Sequence, residues 1–455
     1  MYRWPRILFI PGKRPFWVLI VAIADFIYKG LIYDKHGLRK ATIVVDNGVI
    51  ADIKNINYNG KSEAILDYHN DPNVVAFPGF IDMHVHMRDF EQKYKETVDT
   101  GTKAAAHGGI TVLGDMPNTV PQVRSLEVLY QRKHVFNRES HVDYYLYIGV
   151  PYDVNELPKM IADDSVKGVK IYPTDLSGYS PIFESLKIAA RYGQGKIIIL
   201  HPEDEHFLNE PIDLFDTLIH RGIDVELWSI RKISDILWRL KINMHTHVTH
   251  ITNPYSIIEA KRNNFTIDTC PHYLFLSVEK TFLKHCLAKV YPPLRSEGYR
   301  RLLLDAFLHG YIDAITSDHA PHSLIEKSSS FLLCPGGING IELTAPLLGS
   351  LVALGFISLD HLYRMLSYNP AKILNLRKYG RFCIGCRGNL TIMRFNTVYA
   401  VDPDKFFSKA KYSIYDGWSL FSRVEATVIG GKIVFHDDVF FEDVKGLSVG
   451  VVESW

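Results

Sequence analysis

Three things are scarce in this sequence, and each scarcity excludes something. Long apolar runs come first. Phe16–Ala24 gives nine apolar residues in a row, well short of the about 20 that cross a bilayer. Arg3, Arg6, Lys13 and Arg14 precede that run in the manner of a signal peptide, but no small-residue cleavage site follows. Asp25 instead leads straight into strand-like sequence, so residues 1–24 are expected to be an N-terminal extension and the protein to be cytoplasmic. Net charge is the second scarcity. Fifty-one Lys and Arg against 50 Asp and Glu leave +1, with no basic excess to mark a nucleic-acid or membrane-surface partner. Cysteine is the third. Five cysteines in 455 residues do not read as a secreted disulfide framework. Cys383-Ile-Gly-Cys386 lacks a second pair to complete a zinc site and is expected to be a turn.

What is present is ordinary for a globular enzyme: 47% hydrophobic and 22% charged residues, in a chain long enough for one large domain and a smaller one. Both ends are rich in short strands. Phe26–Tyr33, Ala41–Val45 and Val49–Ile53 are separated by turn residues such as Asp46-Asn-Gly48, a hairpin signal. Asn389–Met393, Ala426–Ile429 and Lys432–Phe435 mirror them near the C-terminus. The two ends (residues 25–77 and 381–455) are therefore expected to meet in one small β-sandwich.

Between them, strand and helix alternate. Strands are expected at Phe80–Val85, Ile110–Gly114, Tyr144–Ile148, Gly168–Tyr172, Lys196–Leu200, Asn243–Val248, Thr266–Thr269 and Ile312–Thr316. A helix over Val225–Leu240 carries an apolar stripe of Leu227, Ile230, Ile233, Leu237 and Leu240. Eight such units within residues 78–380 predict an α/β fold, a TIM-like (β/α)₈ barrel. Its chemistry belongs at the C-terminal strand ends. His84 and His86 point to the same side of one strand, since alternate side chains share a face. Lys170, His201 and Asp318 also fall at strand ends. At the sixth strand His245, His247 and His250 compete. One histidine at a strand end is usually structural, but six groups in register with strand ends predict a metal site.

On these residues the sequence resembles the cyclic amidohydrolases, and within them the dihydroorotases. The resemblance runs from about Phe26 to the C-terminus. It rests on Pro78-Gly-Phe-Ile-Asp-Met-His-Val-His-Met-Arg88, Gly101–Thr111, Asp115-Met-Pro-Asn-Thr119, His201-Pro-Glu-Asp204, Cys270-Pro-His-Tyr-Leu274, Pro292-Pro-Leu-Arg295, Thr316-Ser-Asp-His-Ala-Pro-His322 and Asn369-Pro-Ala-Lys372. It implies two Zn²⁺ ions: His84, His86 and Asp318 on one, His201 and His250 on the other, and Lys170, carboxylated by CO₂, bridging both. His250 is preferred on the family's spacing. Zinc lowers the pKa of bound water to about 7, and the resemblance makes Asp318 the proton shuttle as well as a ligand. The implied reaction is reversible opening of the cyclic amide of dihydroorotate to N-carbamoyl-aspartate, a step of pyrimidine synthesis.

Arg88, Asn118 and His322 would then bind the substrate's ring carboxylate, which neutral rings lack. Relatives carry asparagine before Pro-Pro-Leu-Arg where this chain has Tyr291, whose hydroxyl is expected to take over that hydrogen bond or to mark altered specificity. The alternatives are therefore a dihydropyrimidinase, hydantoinase or allantoinase. Another is a non-catalytic scaffold for aspartate transcarbamoylase, although such a scaffold would be expected to have lost ligands. A homodimer or an aspartate transcarbamoylase complex is the expected assembly. Residues 322–335, with Ser328-Ser-Ser330, are expected to form a mobile loop over the site.

Overall fold

The computed structural model describes residues 23–177 and 181–454. Most of the expected N-terminal extension lies outside them. The first strands are β1 (Ala24–Asp34), β2 (Gly37–Asp46), β3 (Val49–Lys54), β4 (Ser62–Asp67) and β5 (Val74–Pro78). The β2–β3 loop is Asn47-Gly48, with φ of 50° and 79°; a two-residue hairpin turn needs positive φ at both positions, which is why Asn-Gly marks it. β1 divides its edge, Ala24–Lys29 pairing with β4 and Leu31-Ile32 with β5.

Eight parallel strands follow: β6 (Phe80–Val85), β7 (Ile110–Asp115), β8 (Asp143–Gly149), β9 (Val166–Ile171), β10 (Ile197–Leu200), β11 (Thr246–Val248), β12 (Thr266–Thr269) and β13 (Ala314–Ile315). They pair in sequence order as one sheet. A bridge between Val85 and His319 joins its two edges, where the His86 amide donates to the His319 carbonyl at 2.9 Å. The TIM-like barrel is thus present. Ile81, Met83, Val112, Tyr145, Tyr147, Ile197 and Ile199 fill its interior. The helix Ile223–Arg239 packs outside with Ile230, Ile233 and Leu237 of the expected stripe buried beside Val225, while Leu227 and Leu240 are half-buried. No described helix is long and apolar enough to cross a membrane.

The chain then returns to the first sheet through β14 (Leu390–Ala400), β15 (Ser419–Ile429), β16 (Lys432–His436) and β17 (Val439–Phe440). β14 pairs antiparallel with β5, so strands from both chain ends make one nine-stranded sheet. Its inner residues, among them Phe26, Ile43, Val74, Leu390 and Val428, share one core.

Asp143 ties this C-terminal part to the barrel. It is fully buried and accepts from Arg387 Nε (2.9 Å), Asn389 Nδ2 (2.9 Å), Tyr379 Oη (3.1 Å) and the Leu447 amide (2.8 Å). Asp143→Ala removes the buried carboxylate that the Arg387 guanidinium and several other donors share, and is expected to lower unfolding free energy by about 3–5 kcal/mol. Urea denaturation measures it; a loss below about 1 kcal/mol would show that the hub contributes no more than a surface pair.

The cysteines depart from expectation. Cys286 bonds to Cys334 and Cys383 to Cys386, leaving Cys270 free and buried. The 48-residue separation of the first pair hides it from any local spacing rule, and the second pair makes the expected turn a cross-linked one. Residues 322–335 are tied to neighbouring backbone through one lysine. Buried Lys327 donates to the carbonyls of Cys286 (2.9 Å), Lys289 (3.3 Å) and Pro335 (2.9 Å), beside the Cys286–Cys334 bond.

Candidate metal and substrate site

The expected ligands gather at the C-terminal mouth of the barrel. His84 Nε2 and His86 Nε2 lie 3.3 and 3.1 Å from Asp318 Oδ1. His84 stands 5.1 Å, ring centre to ring centre, from His250, which is 4.6 Å from His201. Of the three competing histidines the structure brings only His250 here. His247 bonds inside the barrel to Asp268 (2.7 Å), and His245 lies at the opposite mouth beside Thr266. Alternation carries His245 and His247 along β11, whereas His250 comes after the strand has ended. Several residues at these strand ends adopt left-handed backbone: Arg88 (φ 44°), His250 (45°) and Asp318 (45°). For non-glycine residues that conformation is uncommon and concentrates at functional sites.

Partners behind the ligands fix which ring nitrogen faces the centre. Thr249 Oγ1 lies 3.0 Å from Asp268 Oδ2 and 2.6 Å from His84 Nδ1. The hydroxyl donates to the carboxylate and accepts from Nδ1–H, which leaves a lone pair on His84 Nε2. His86 Nδ1 likewise meets Asn118 Oδ1 at 2.6 Å, leaving Nε2 free and turning the Asn118 amide NH₂ elsewhere. His201 Nε2 meets Glu203 Oε2 at 2.7 Å, so its free lone pair is on Nδ1. Burial, reinforced by neighbouring cationic groups, holds His84 and His250 well below the usual histidine pKa. Two imidazole Nε2 atoms and a carboxylate oxygen therefore converge on one point. Their 3.1–3.3 Å spacings match the about 3.4 Å edge of a tetrahedron with zinc–nitrogen bonds. His84, His86 and Asp318 are one of the groups of side chains here able to hold a metal ion.

Lys170 adds a second observation. It is fully buried, and its Nζ has no hydrogen-bond partner. Burial lowers its pKa to about 7, so much of it is free amine at neutral pH. An unprotonated amine is the form that takes up CO₂ to become a carbamate with two anionic oxygens. The donor set at this mouth of the barrel thus fits a divalent metal ion.

Arg88 lies beside these candidate ligands. Its Nε donates to the Pro321 carbonyl (3.1 Å), and Nη2 lies 3.2 Å from His322 Nε2. Among the described residues six arginines are buried: Arg88, Arg132, Arg221, Arg295, Arg300 and Arg387. The last five are ion-paired with Asp115, Glu203, Glu226, Glu297 and Asp143 respectively. Arg88 has no such partner among the described residues, and a buried cation without one is costly. Tyr291 is set farther along the wall. Its hydroxyl is buried and unpartnered, and the Arg221 guanidinium stacks 3.6 Å from its ring centre.

Sequence reasoning passed over Thr249, Asp268 and Arg221, whose roles depend on side chains distant in sequence. It also passed over His272, in the quoted Cys-Pro-His-Tyr motif. That residue is buried with Nε2 unpartnered, and burial lowers its pKa to about 4.

Comparison with known proteins agrees with this geometry. The Dihydro-orotase-like family matches residues 73–169, and the Amidohydrolase family residues 235–434. A dihydroorotase of Aeropyrum pernix is 33% identical over 441 residues, covering 96% of this chain and 98% of its own. One of Saccharolobus solfataricus is 36% identical over 375 residues, 82% of this chain and 87% of its own. The L-hydantoinase (dihydropyrimidinase) of Arthrobacter aurescens superposes with a TM-score of 0.84 at 23% identity, over 92% of this chain and 98% of its own, a likeness of fold. Since the sequence likeness to dihydroorotases spans nearly the whole of both chains and includes the strands that carry these histidines, the chain belongs to the dihydroorotase family.

Proposed function

We propose that this protein is a metal-dependent dihydroorotase, opening the ring of (S)-dihydroorotate to N-carbamoyl-L-aspartate and closing it in reverse. The observation that carries the choice of substrate is Arg88, a buried guanidinium without a carboxylate of its own beside the metal ligands. The ring carboxylate of dihydroorotate supplies the missing charge, and a guanidinium binds it through two parallel hydrogen bonds. Neutral rings such as dihydrouracil, hydantoin and allantoin leave Arg88 unpaired.

His84, His86 and Asp318 would hold one zinc ion, His201 and His250 the other, and carboxylated Lys170 would bridge them. Bound zinc supplies an acidified water and polarises the amide carbonyl. The rest falls to the chain's own groups. Arg88, with the Asn118 NH₂ left free by its bond to His86, orients the carboxylate, and His322 flanks it. Burial pushes the Asp318 carboxyl up, but His86, His272 and Lys170 outweigh it and hold it below its ordinary value. An ionised Asp318 takes the proton of the attacking water and returns it to the departing ring nitrogen. Tyr291 offers its unpartnered hydroxyl to the ring.

The test is hydrolysis by the zinc-loaded protein of dihydroorotate beside dihydrouracil, hydantoin and allantoin. We expect dihydroorotate to be preferred by at least about 10³ in kcat/KM, the size of a buried charge left unpaired. Preference for a neutral ring would overturn the carboxylate reading and move specificity to Tyr291. Bound zinc without any turnover would favour the scaffold reading.

A further inference from the structure

His322 sits among cations, and the hydrogen-bonding capacity of its neighbours determines which of its nitrogens carries the proton. Lys95 Nζ lies 3.1 Å from Nδ1, the Gly336 carbonyl 3.1 Å from Nε2, and Arg88 Nη2 3.2 Å from the same Nε2. An ammonium has donors only, a guanidinium has donors only, and a carbonyl only accepts. With the proton on Nε2, Lys95 donates to Nδ1 and Nε2–H donates to Gly336, satisfying two of the three contacts and leaving only the Arg88 donor without an acceptor there. With it on Nδ1, two N–H groups oppose each other at Lys95 and the Gly336 carbonyl faces a lone pair. Burial, together with Arg88, Lys95 and Lys327, lowers the imidazole pKa far below its ordinary value, so the doubly protonated ring is excluded.

We propose that Lys95 is a positioning residue of the substrate site, fixing His322 in its Nε2–H form so that His322 cannot accept from Arg88. The Arg88 Nη protons then have no acceptor on His322 and remain available to an anionic ligand. Were Nε2 unprotonated, it would accept from Arg88 Nη2 and compete with that ligand.

Lys95 is itself held in place. Its Nζ pairs with Glu326 Oε1 at 2.9 Å, and it is buried. Glu326 Oε2 accepts from the amide and hydroxyl of Ser323, each at 2.9 Å, in a capping box that begins the short helix Leu324–Lys327. The Tyr412 hydroxyl lies 3.2 Å from the His322 amide and 3.1 Å from its carbonyl, fixing the backbone on the other side. The ring therefore has one orientation and one tautomer.

The assignment rests on Arg88 being the carboxylate anchor, and the experiment separates the two ideas. Full-length zinc-loaded protein labelled with ¹⁵N-histidine gives the tautomer directly, with His322→Gln identifying the signal. We expect an Nε2–H imidazole in the native protein and a mixture of tautomers in Lys95→Met. Steady-state kinetics of Lys95→Met should show KM for dihydroorotate raised by roughly tenfold, a hydrogen bond to a charged group being of that size, with kcat changed far less. Glu326→Gln should give a smaller KM effect in the same direction. An Nδ1–H or imidazolium His322 in the native protein overturns the proposal, as does an unchanged tautomer in Lys95→Met. Native protein that shows the expected tautomer and responds to Lys95→Met, yet does not turn over dihydroorotate, refutes the substrate reading and leaves the role of Lys95 standing.

Discussion

Lys170→Ala should lose most of its bound zinc and at least about 10³ in kcat/KM, since metal catalysis contributes several kcal/mol and each 1.36 kcal/mol is tenfold. The reason is the combination at that residue. Its amine is fully buried, without a partner, and with a pKa lowered to about 7. A buried lysine without a partner is costly; carboxylated, as proposed above, it would bring negative charge to a cluster of imidazoles. The same logic predicts that metal-stripped protein recovers activity faster with zinc plus bicarbonate than with zinc in CO₂-free buffer. Metal content per chain and initial rate measure both effects. Full zinc occupancy with unimpaired turnover in Lys170→Ala would remove the bridge from the account.

Arg88→Met should cut kcat/KM for dihydroorotate by roughly 10²–10⁴, since two charge-assisted hydrogen bonds at about 1.5–3 kcal/mol each are lost. Arg88→Lys should be nearly as poor, because an ammonium cannot present two parallel donors. A second effect has the opposite sign. A buried guanidinium with no acidic partner burdens the free protein, so Arg88→Met is expected to raise the melting temperature while it disables binding. Paired measurement of kinetics and thermal unfolding distinguishes this from ordinary damage, in which both fall. A variant that keeps its kcat/KM for dihydroorotate would show that the carboxylate is bound elsewhere.

How much of this was legible beforehand depends on the range of the contacts involved. All eight barrel strands could be located because their apolar runs are local, and the structure moves their ends by only a few residues. His84, His86, Lys170 and His201 could be placed because each lies in or directly after such a run. His250 was ambiguous from periodicity, since it follows a left-handed break that no alternation extends across; the family's spacing pointed to it. Lys95, Thr249 and Asp268 were invisible for another reason: Lys95 acts on a residue 227 positions away, and Asp268, on β12, reaches Thr249 and His250 just past the end of the neighbouring β11, a contact that no local pattern marks. The Cys286–Cys334 bond belongs to the same class.

The pairing of β5 with β14 has a consequence for how the protein is made. Val74–Pro78 leads directly into the His84–His86 strand, yet one of its two neighbours, Leu390–Arg394, is more than 300 residues later in the chain. A ribosome therefore releases the strand carrying His84 long before that partner strand exists, and the first sheet waits with an unpaired apolar edge until more than 300 further residues have been made. Completion of the sheet that anchors the strand of His84 is thus a late event, and the nascent chain has reason to need shielding until β14 has been made.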